Sequence, residues 1–130
     1  MEQVRIPGEV ATNVPYSKAI RANGFIFISG QLPFDLKTGE IVYGDIAEQT
    51  RLCLLNMQKV LNAAGATFSN VVKTTVFLDD IEEWGAMNVV YSEFFAQPAP
   101  ARSAIQVAKV PKNCKVEIEC IAIDPKASRL

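Results

Sequence analysis

The segment SKAIRANGFIFIS, residues 17–29, decides how the fold begins, because it contains two runs of strand-forming residues around the dipeptide Asn23-Gly24. Asn and Gly both tolerate the positive φ angles that the tight turn of a β-hairpin requires. Ser17–Arg21 and Phe25–Ser29 are therefore predicted to pair as antiparallel strands.

A long helix is predicted after this hairpin. Asp45 is suited to cap its first turn, Glu48 stands where a capping box needs an acidic residue, and Gly65 is suited to end the helix in the left-handed conformation. Its apolar residues recur at helical spacing and are expected to face the core. They are Ile46, Cys53, Met57, Val60, Leu61 and Ala64.

A buried strand and a second helix are predicted next. Val71–Leu78 is rich in β-branched residues, and Asp80 with Glu83 repeats the capping signal. The apolar face of the helix that follows also includes the polar Asn88. The apolar members of this face are Ile81, Trp84, Met87, Tyr91, Phe94 and Phe95.

Two further strands are predicted in the rest of the chain. A loop at Gln97–Ala101 leads into the strand Ser103–Ala108, and a turn at Pro111–Cys114 leads into the strand Lys115–Ile123. The order β-β-α-β-α-β-β predicts an α+β fold formed by a single domain of residues 1–130. It favours a mixed or antiparallel sheet with two helices on one face. The other face is then left for a partner, so we expect an oligomer.

Composition excludes several kinds of chemistry. The 130 residues include no histidine, which rules out Ser/His/Asp and Cys/His catalysis and histidine-based zinc sites. The formal charge of -1 does not favour nucleic acid as a partner. Three cysteines without close pairing indicate neither a disulfide framework nor a zinc knuckle. With no apolar run of membrane-spanning length, a cytoplasmic protein without membrane contact is expected.

Two charged residues are candidates for acid-base chemistry and substrate binding. Glu119 lies on a predicted strand face with Glu117, at the edge of an apolar zone, and we expect it to be half-buried and suited to general acid-base work. Arg102 follows the stiff Pro100-Ala101 pair and is suited to binding a planar carboxylate. The structural alternative for Glu119 is a rim residue paired with a lysine. The structural alternative for Arg102 is an ion pair within the chain or between subunits.

Three polar residues are weaker candidates. Asn88 either bonds a neighbouring carbonyl, faces an interface or contributes to a site. Tyr16 and Ser29 are also explained as a turn anchor and a strand-end hydroxyl. None of these signals is specific by itself.

Taken together, several blocks of the chain resemble the Rid family, also called YjgF-like, and occur in the family's order over nearly the whole sequence. The most specific are Pro100-Ala101-Arg102-Ser103 and Val116-Glu117-Ile118-Glu119. The others are Pro15-Tyr16, Ile28-Ser29-Gly30-Gln31, Lys73-Thr74-Thr75-Val76-Phe77, and Asn88 followed by Tyr91-Ser92-Glu93-Phe94-Phe95.

The resemblance implies a chorismate-mutase-like fold and a homotrimer with sites between neighbouring subunits. It also implies hydrolysis of 2-imino acids, formed from enamines such as 2-aminoacrylate, to 2-keto acids and ammonia without a metal or cofactor. Arg102 would bind the substrate carboxylate, and Glu119 would activate the attacking water. The residues expected to line the pocket are Tyr16, Ser29, Asn88 and the backbone around Ala104.

Two departures from the family pattern leave other functions open. Many similar proteins have cysteine at the position of Ala104, and the loop Ala96–Ala101 is short, with Ala99 where an aromatic residue often precedes Pro-Ala-Arg. One alternative is therefore a non-catalytic trimer that binds a carboxylate metabolite. A ribonuclease or translation inhibitor is disfavoured, because the chain has neither histidine nor a basic excess.

Overall fold

The computed structural model describes residues 1–10 and 13–127 and contains six strands and two α-helices. The strands are β1 Glu2–Val4, β2 Ala19–Ala22, β3 Phe25–Gln31, β4 Val71–Leu78, β5 Ala101–Gln106 and β6 Val116–Ile123. The helices are α1 Ile46–Ala63 and α2 Trp84–Tyr91.

The six strands form one mixed sheet in the order β1-β2-β3-β6-β4-β5. β4 and β5 are parallel, whereas the other neighbouring strands are antiparallel. α2 lies in the crossover between β4 and β5, as a parallel pair requires. α1 packs on β3 and β6 and against α2, so both helices cover the same face. The predicted fold class is confirmed, and β5 forms one edge of the sheet.

The predicted hairpin is confirmed. Ala22 pairs with Phe25, and the turn residues Asn23 and Gly24 have φ angles of 54° and 85°. The sequence did not predict β1, which extends the sheet beyond β2 through the pairing of Val4 with Ala19.

The first helix begins and ends where its capping residues predict. The Asp45 carboxylate accepts a hydrogen bond from the backbone N–H of Glu48 at 2.9 Å, and Gly65 has a φ angle of 82° beyond the last turn. All members of the predicted apolar stripe are buried: Ile46, Cys53, Met57, Val60, Leu61 and Ala64.

The predicted apolar face of the second helix is only partly correct. Met87, Tyr91 and Phe95 are buried, but Ile81 is 38% exposed and Trp84 is 48% exposed. Ile81 belongs to a 3₁₀ turn before α2, where the α-helical spacing does not hold. Trp84 is the first residue of α2.

The sheet face opposite the helices, which we call the bare face, has exposed apolar residues. Alternate residues of β3 and β6 point to it, and Phe25, Phe27 and Ile123 are between 36% and 43% exposed. Phe25 pairs with Ile123, and Phe27 pairs with Ile121, so these side chains form one patch. The uncovered face predicted from the sequence is present. Among residues 1–10 and 13–127, no helix has the length and apolarity needed to cross a membrane.

Candidate active site

Arg102 is held at the open edge of the sheet by contacts with α2. Its Nη1 atom donates a hydrogen bond to the Asn88 Oδ1 atom at 2.7 Å. The guanidinium carbon lies 4.8 Å from the centroid of the Tyr91 ring and 5.9 Å from that of the Trp84 ring. We call Trp84, Asn88, Tyr91 and Arg102 the arginine cluster. Its aromatic faces attract the cation and restrict its movement.

The position of Tyr91 is itself fixed by β4. Its hydroxyl shares a hydrogen bond of 2.7 Å with the Thr74 hydroxyl, and Thr74 is fully buried. Burial raises the pKa of Tyr91, so the phenol stays neutral beneath the guanidinium. Among the described residues, no carboxylate lies within ion-pairing distance of Arg102. The alternative of an ion pair within the chain is therefore not found in the part of the chain that the structure describes.

Ala104 lies two residues beyond Arg102 and points to the same side of β5. It pairs with the buried Val76, and its side chain is partly buried against the hydrophobic core. A methyl group in this position provides packing but no reactive group.

Glu119 lies on the bare face of β6, and its side chain is exposed. The expectation of a half-buried Glu119 is wrong for the single chain, because no element of residues 1–10 and 13–127 covers its side chain. Glu117, on the same face, is the half-buried one. No lysine of the described residues forms an ion pair with Glu119, so the alternative of a lysine-paired rim residue is not found there either.

Tyr16, Ser29 and Glu119 line a single open groove of about 530 Å³. We call it the glutamate groove. The Ser29 hydroxyl donates a hydrogen bond to the Ser17 carbonyl at 2.6 Å, whereas Tyr16 is 63% exposed. A larger cavity of about 850 Å³ near the N-terminus includes Tyr16 but not Glu119, so we assign the site to the groove.

A β-bulge in β3 shapes this groove. Ile28 pairs with Cys120 and Gln31 pairs with Ile118, so two residues of β3, Ser29 and Gly30, stand opposite the single Glu119.

The arginine cluster and the glutamate groove lie on opposite faces of the same sheet. Paired residues of neighbouring strands point to the same face. Arg102 pairs with Thr74, which bonds to α2 on the helix face. Glu119 pairs with Thr75, the next residue along β4, and therefore faces the other way. The structure thus brings Arg102, Asn88 and Ala104 together on one face and Glu119, Tyr16 and Ser29 together on the other.

The side chains that hold Arg102 in place were not predicted as such from the sequence. Trp84 and Tyr91 were predicted only as members of an apolar face, and Thr74 only as part of a strand. Trp84, Asn88 and Tyr91 are spaced at i, i+4 and i+7 in α2, which places them on one side of a helix. In this chain the asparagine and the two aromatic residues at this spacing all contact the Arg102 guanidinium, so the spacing is the signal that could have indicated them as its support.

Comparison with known proteins shows extensive similarity to one family. The family model described as Endoribonuclease L-PSP matches residues 7–124. A RutC family protein of Pyrococcus horikoshii is 51% identical over 108 residues, which cover 83% of this chain and 86% of that protein. Human 2-iminobutanoate/2-iminopropanoate deaminase is 44% identical over 119 residues, which cover 92% of this chain and 85% of the human protein. A Yersinia pestis structure of unknown function, assigned to the conserved Rid protein family, matches with a TM-score of 0.88 at 39% identity, covering 94% of this chain and 98% of that one.

Proposed function

The chain belongs to the Rid family, described also as Endoribonuclease L-PSP, and we propose that it hydrolyses 2-imino acids of the 2-aminoacrylate type to 2-keto acids and ammonia. The name of the human relative supports a deaminase of this class. The observation on which the proposal rests is the Arg102 guanidinium, oriented by Asn88 and stacked on Tyr91, with no carboxylate partner among the described residues.

Arg102 is suited to the carboxylate of a small acid. Asn88 bonds to one guanidinium nitrogen, which leaves other N–H groups to bind two carboxylate oxygens side by side. A charge-assisted bond of this kind contributes about 1.5–3 kcal/mol, enough to orient a small substrate without holding its product tightly.

The complete site requires two copies of the chain in this proposal. Arg102, Asn88 and the backbone at Ala104 come from one subunit, and the glutamate groove comes from its neighbour. An edge of one subunit placed against the bare face of the next is a heterologous contact, and such contacts form a ring when the rotation from one subunit to the next closes after a whole turn. The exposed apolar patch at Phe25, Phe27 and Ile123 supports burial of this face. We propose a ring of three subunits, as the family resemblance implies.

Glu119 moves the protons in the proposed reaction. As a carboxylate it accepts a proton from water while the oxygen bonds to the imine carbon, and it passes that proton to the nitrogen to give a neutral aminol. The same carboxylate then takes the hydroxyl proton as the C=O bond forms and delivers it to the departing nitrogen, which leaves as ammonia. The sum is imine plus water to ketone plus ammonia, with Glu119 regenerated.

The experiment that tests this function adds the protein to a serine or threonine dehydratase reaction and follows release of keto acid and ammonia. Wild-type protein is expected to accelerate release, and Arg102→Ala is expected not to. Arg51→Ala is the matched control, because Arg51 is an exposed arginine paired with the exposed Glu93 at 2.8 Å, and neither residue belongs to the arginine cluster or the glutamate groove. An absence of acceleration by the wild type, or equal acceleration by Arg102→Ala, would refute the proposal.

A second candidate function is binding of a carboxylate metabolite without turnover. Ala104 favours it, because the methyl group next to Arg102 provides no reactive atom. The same assay separates the two, since a binding protein would bind 2-keto acids through Arg102 and leave the rate of ammonia release unchanged.

A further inference from the structure

Glu117 is a half-buried acidic residue for which the proposed reaction has no role. It lies on β6 two residues before Glu119 and on the same face. Burial, and after it the charge of Glu119, raises the pKa of Glu117. No lysine or arginine of the described residues pairs with it.

Gly30 makes room for this carboxylate. A Cβ atom added at Gly30 would lie 2.6 Å from the Glu117 Oε2 atom and 2.7 Å from its Cδ atom. Gly30 does not have a positive φ angle, so its backbone conformation does not require a glycine. The reason for a glycine is instead the close approach of the Glu117 side chain. The bulge that places Ser29 and Gly30 opposite Glu119 therefore also receives the Glu117 side chain.

The residues beside Glu117 across the sheet are apolar, and Glu119 is its charged neighbour along the strand. Phe77 of β4 pairs with it, and Ile105 of β5 pairs with Phe77, so the row across the sheet is apolar. Two thiols lie close enough to respond to its charge: burial first, and Glu117 among the further causes, raises the pKa of Cys53 and of Cys114. Both thiols are therefore neutral near pH 7.

Two nearby ammonium groups are bonded elsewhere. Lys73, on the bare face of β4, donates to the Ser103 hydroxyl at 3.1 Å. Lys115, two residues before Glu117, pairs with Glu83 at 3.5 Å.

We propose that Glu117 is a positioning residue of the imine-hydrolysing site, whose negative charge strengthens Glu119 as the acceptor of the water proton. This inference rests on the proposed function. Two carboxylates at i and i+2 of a strand are about 7 Å apart, and each charge opposes the other. Uptake of a proton by Glu119 relieves that repulsion, so the proton leaves water more readily when Glu117 is ionised.

The test compares the pH dependence of kcat/KM for wild type, Glu117→Gln and Glu117→Asp, using the dehydratase assay with dehydratase in excess at each pH. Gln keeps the size of the side chain and removes its charge, whereas Asp keeps the charge and withdraws it from Gly30. Near neutral pH, where Glu117 is ionised, we expect kcat/KM of Glu117→Gln to be about two- to threefold lower than that of wild type, because Glu119 accepts the water proton without the neighbouring charge. This difference is expected to disappear as the pH falls and Glu117 of the wild type takes up a proton. Glu117→Asp keeps the charge and is expected to keep kcat/KM near that of the wild type. Glu40→Gln, at an exposed glutamate outside the strands and helices, is the control for loss of one charge.

Each outcome decides the inference. An equal kcat/KM of Glu117→Gln and wild type near neutral pH, or an equal loss in Glu117→Asp and Glu117→Gln, would overturn it. A loss in Glu117→Gln that persists unchanged at acid pH would also overturn it, because the charge of Glu117 is absent there in the wild type. If Glu117→Gln does not fold, Glu117→Thr, a neutral residue suited to a strand, takes its place and is judged by the same outcomes. A wild-type protein without imine hydrolysis would refute the proposed function, whereas an active wild type with an unchanged kcat/KM in Glu117→Gln refutes the role of Glu117 alone.

Discussion

Two inactive variants are expected to regain activity when their subunits are mixed. Arg102 and Glu119 point to opposite faces of one sheet, so in the proposed assembly each site takes them from different subunits. Arg102→Ala and Glu119→Gln should each be inactive. In a random 1:1 mixture, half of the arginine positions and half of the glutamate positions are intact, so about one quarter of the sites contain both groups in a closed heterologous ring.

The assay exchanges subunits by unfolding and refolding two differently tagged variants together, confirms mixed oligomers by mass spectrometry, and measures keto-acid release. The expected rate is about one quarter of that of refolded wild type at equal concentration. A mixture of Arg102→Ala with the double variant Arg102→Ala/Glu119→Gln is the control and should stay inactive, since it contains no intact Arg102. Verified mixed oligomers without activity would refute a site shared between subunits.

Three further predictions concern binding and stability. Asn88→Leu should raise KM about tenfold with a smaller change in kcat, because Arg102 loses the charge-assisted bond that orients it. The dehydratase assay at increasing imine concentration measures both KM and kcat. Arg21→Ala should lower the free energy of unfolding in urea by about 2 kcal/mol, because the Asp124 carboxylate loses its 2.8 Å partner and keeps the N–H bond from Lys126. An equal stability of Arg21→Ala and wild type would contradict this. Glu117→Gln should be more stable than wild type near neutral pH and should lose that advantage below about pH 4. The reason is that the pKa of Glu117 in the folded state is raised above 4.5, so the wild type loses stability as the pH rises through that pKa. Urea unfolding of both proteins across this pH range measures the difference in stability and its sign.

Local signals in the sequence predicted the first helix and the first hairpin because their causes are local. The Asn23-Gly24 turn, the Asp45 cap and the Gly65 end each depend on the conformations that one or two residues permit. Such features are predictable without knowledge of the rest of the fold. β1 was missed because three residues, Glu2–Val4, are too few to show alternation, and its pairing with β2 depends on the sheet already formed.

The boundaries of β5 show how a strand takes its limits from its neighbour. The sequence predicted Ser103–Ala108, whereas β5 runs from Ala101 to Gln106 because its residues pair in register with Lys73 to Leu78 of β4. The difference matters for the site, since it places Arg102 inside the strand and fixes its side chain on the helix face. A loop arginine would have had no fixed direction.

The relation between Arg102 and Glu119 could not be predicted from alternation in either strand. The alternation of side chains along a strand shows that Glu117 and Glu119 share one face, and that Arg102 and Ala104 share one face. It does not show which face of the sheet this is, because a shift of one residue in the pairing moves all side chains of a strand to the opposite face. The register of both strands with β4 decides the matter, because Thr74 and Thr75 are adjacent and point in opposite directions. The two charged groups therefore lie on opposite faces of the sheet within one chain, and in the proposed assembly a second copy of the chain brings its Glu119 to the side chain of Arg102. The family resemblance implied that a site lies between subunits, and the register of β4 supplies a physical reason why this chain would need one.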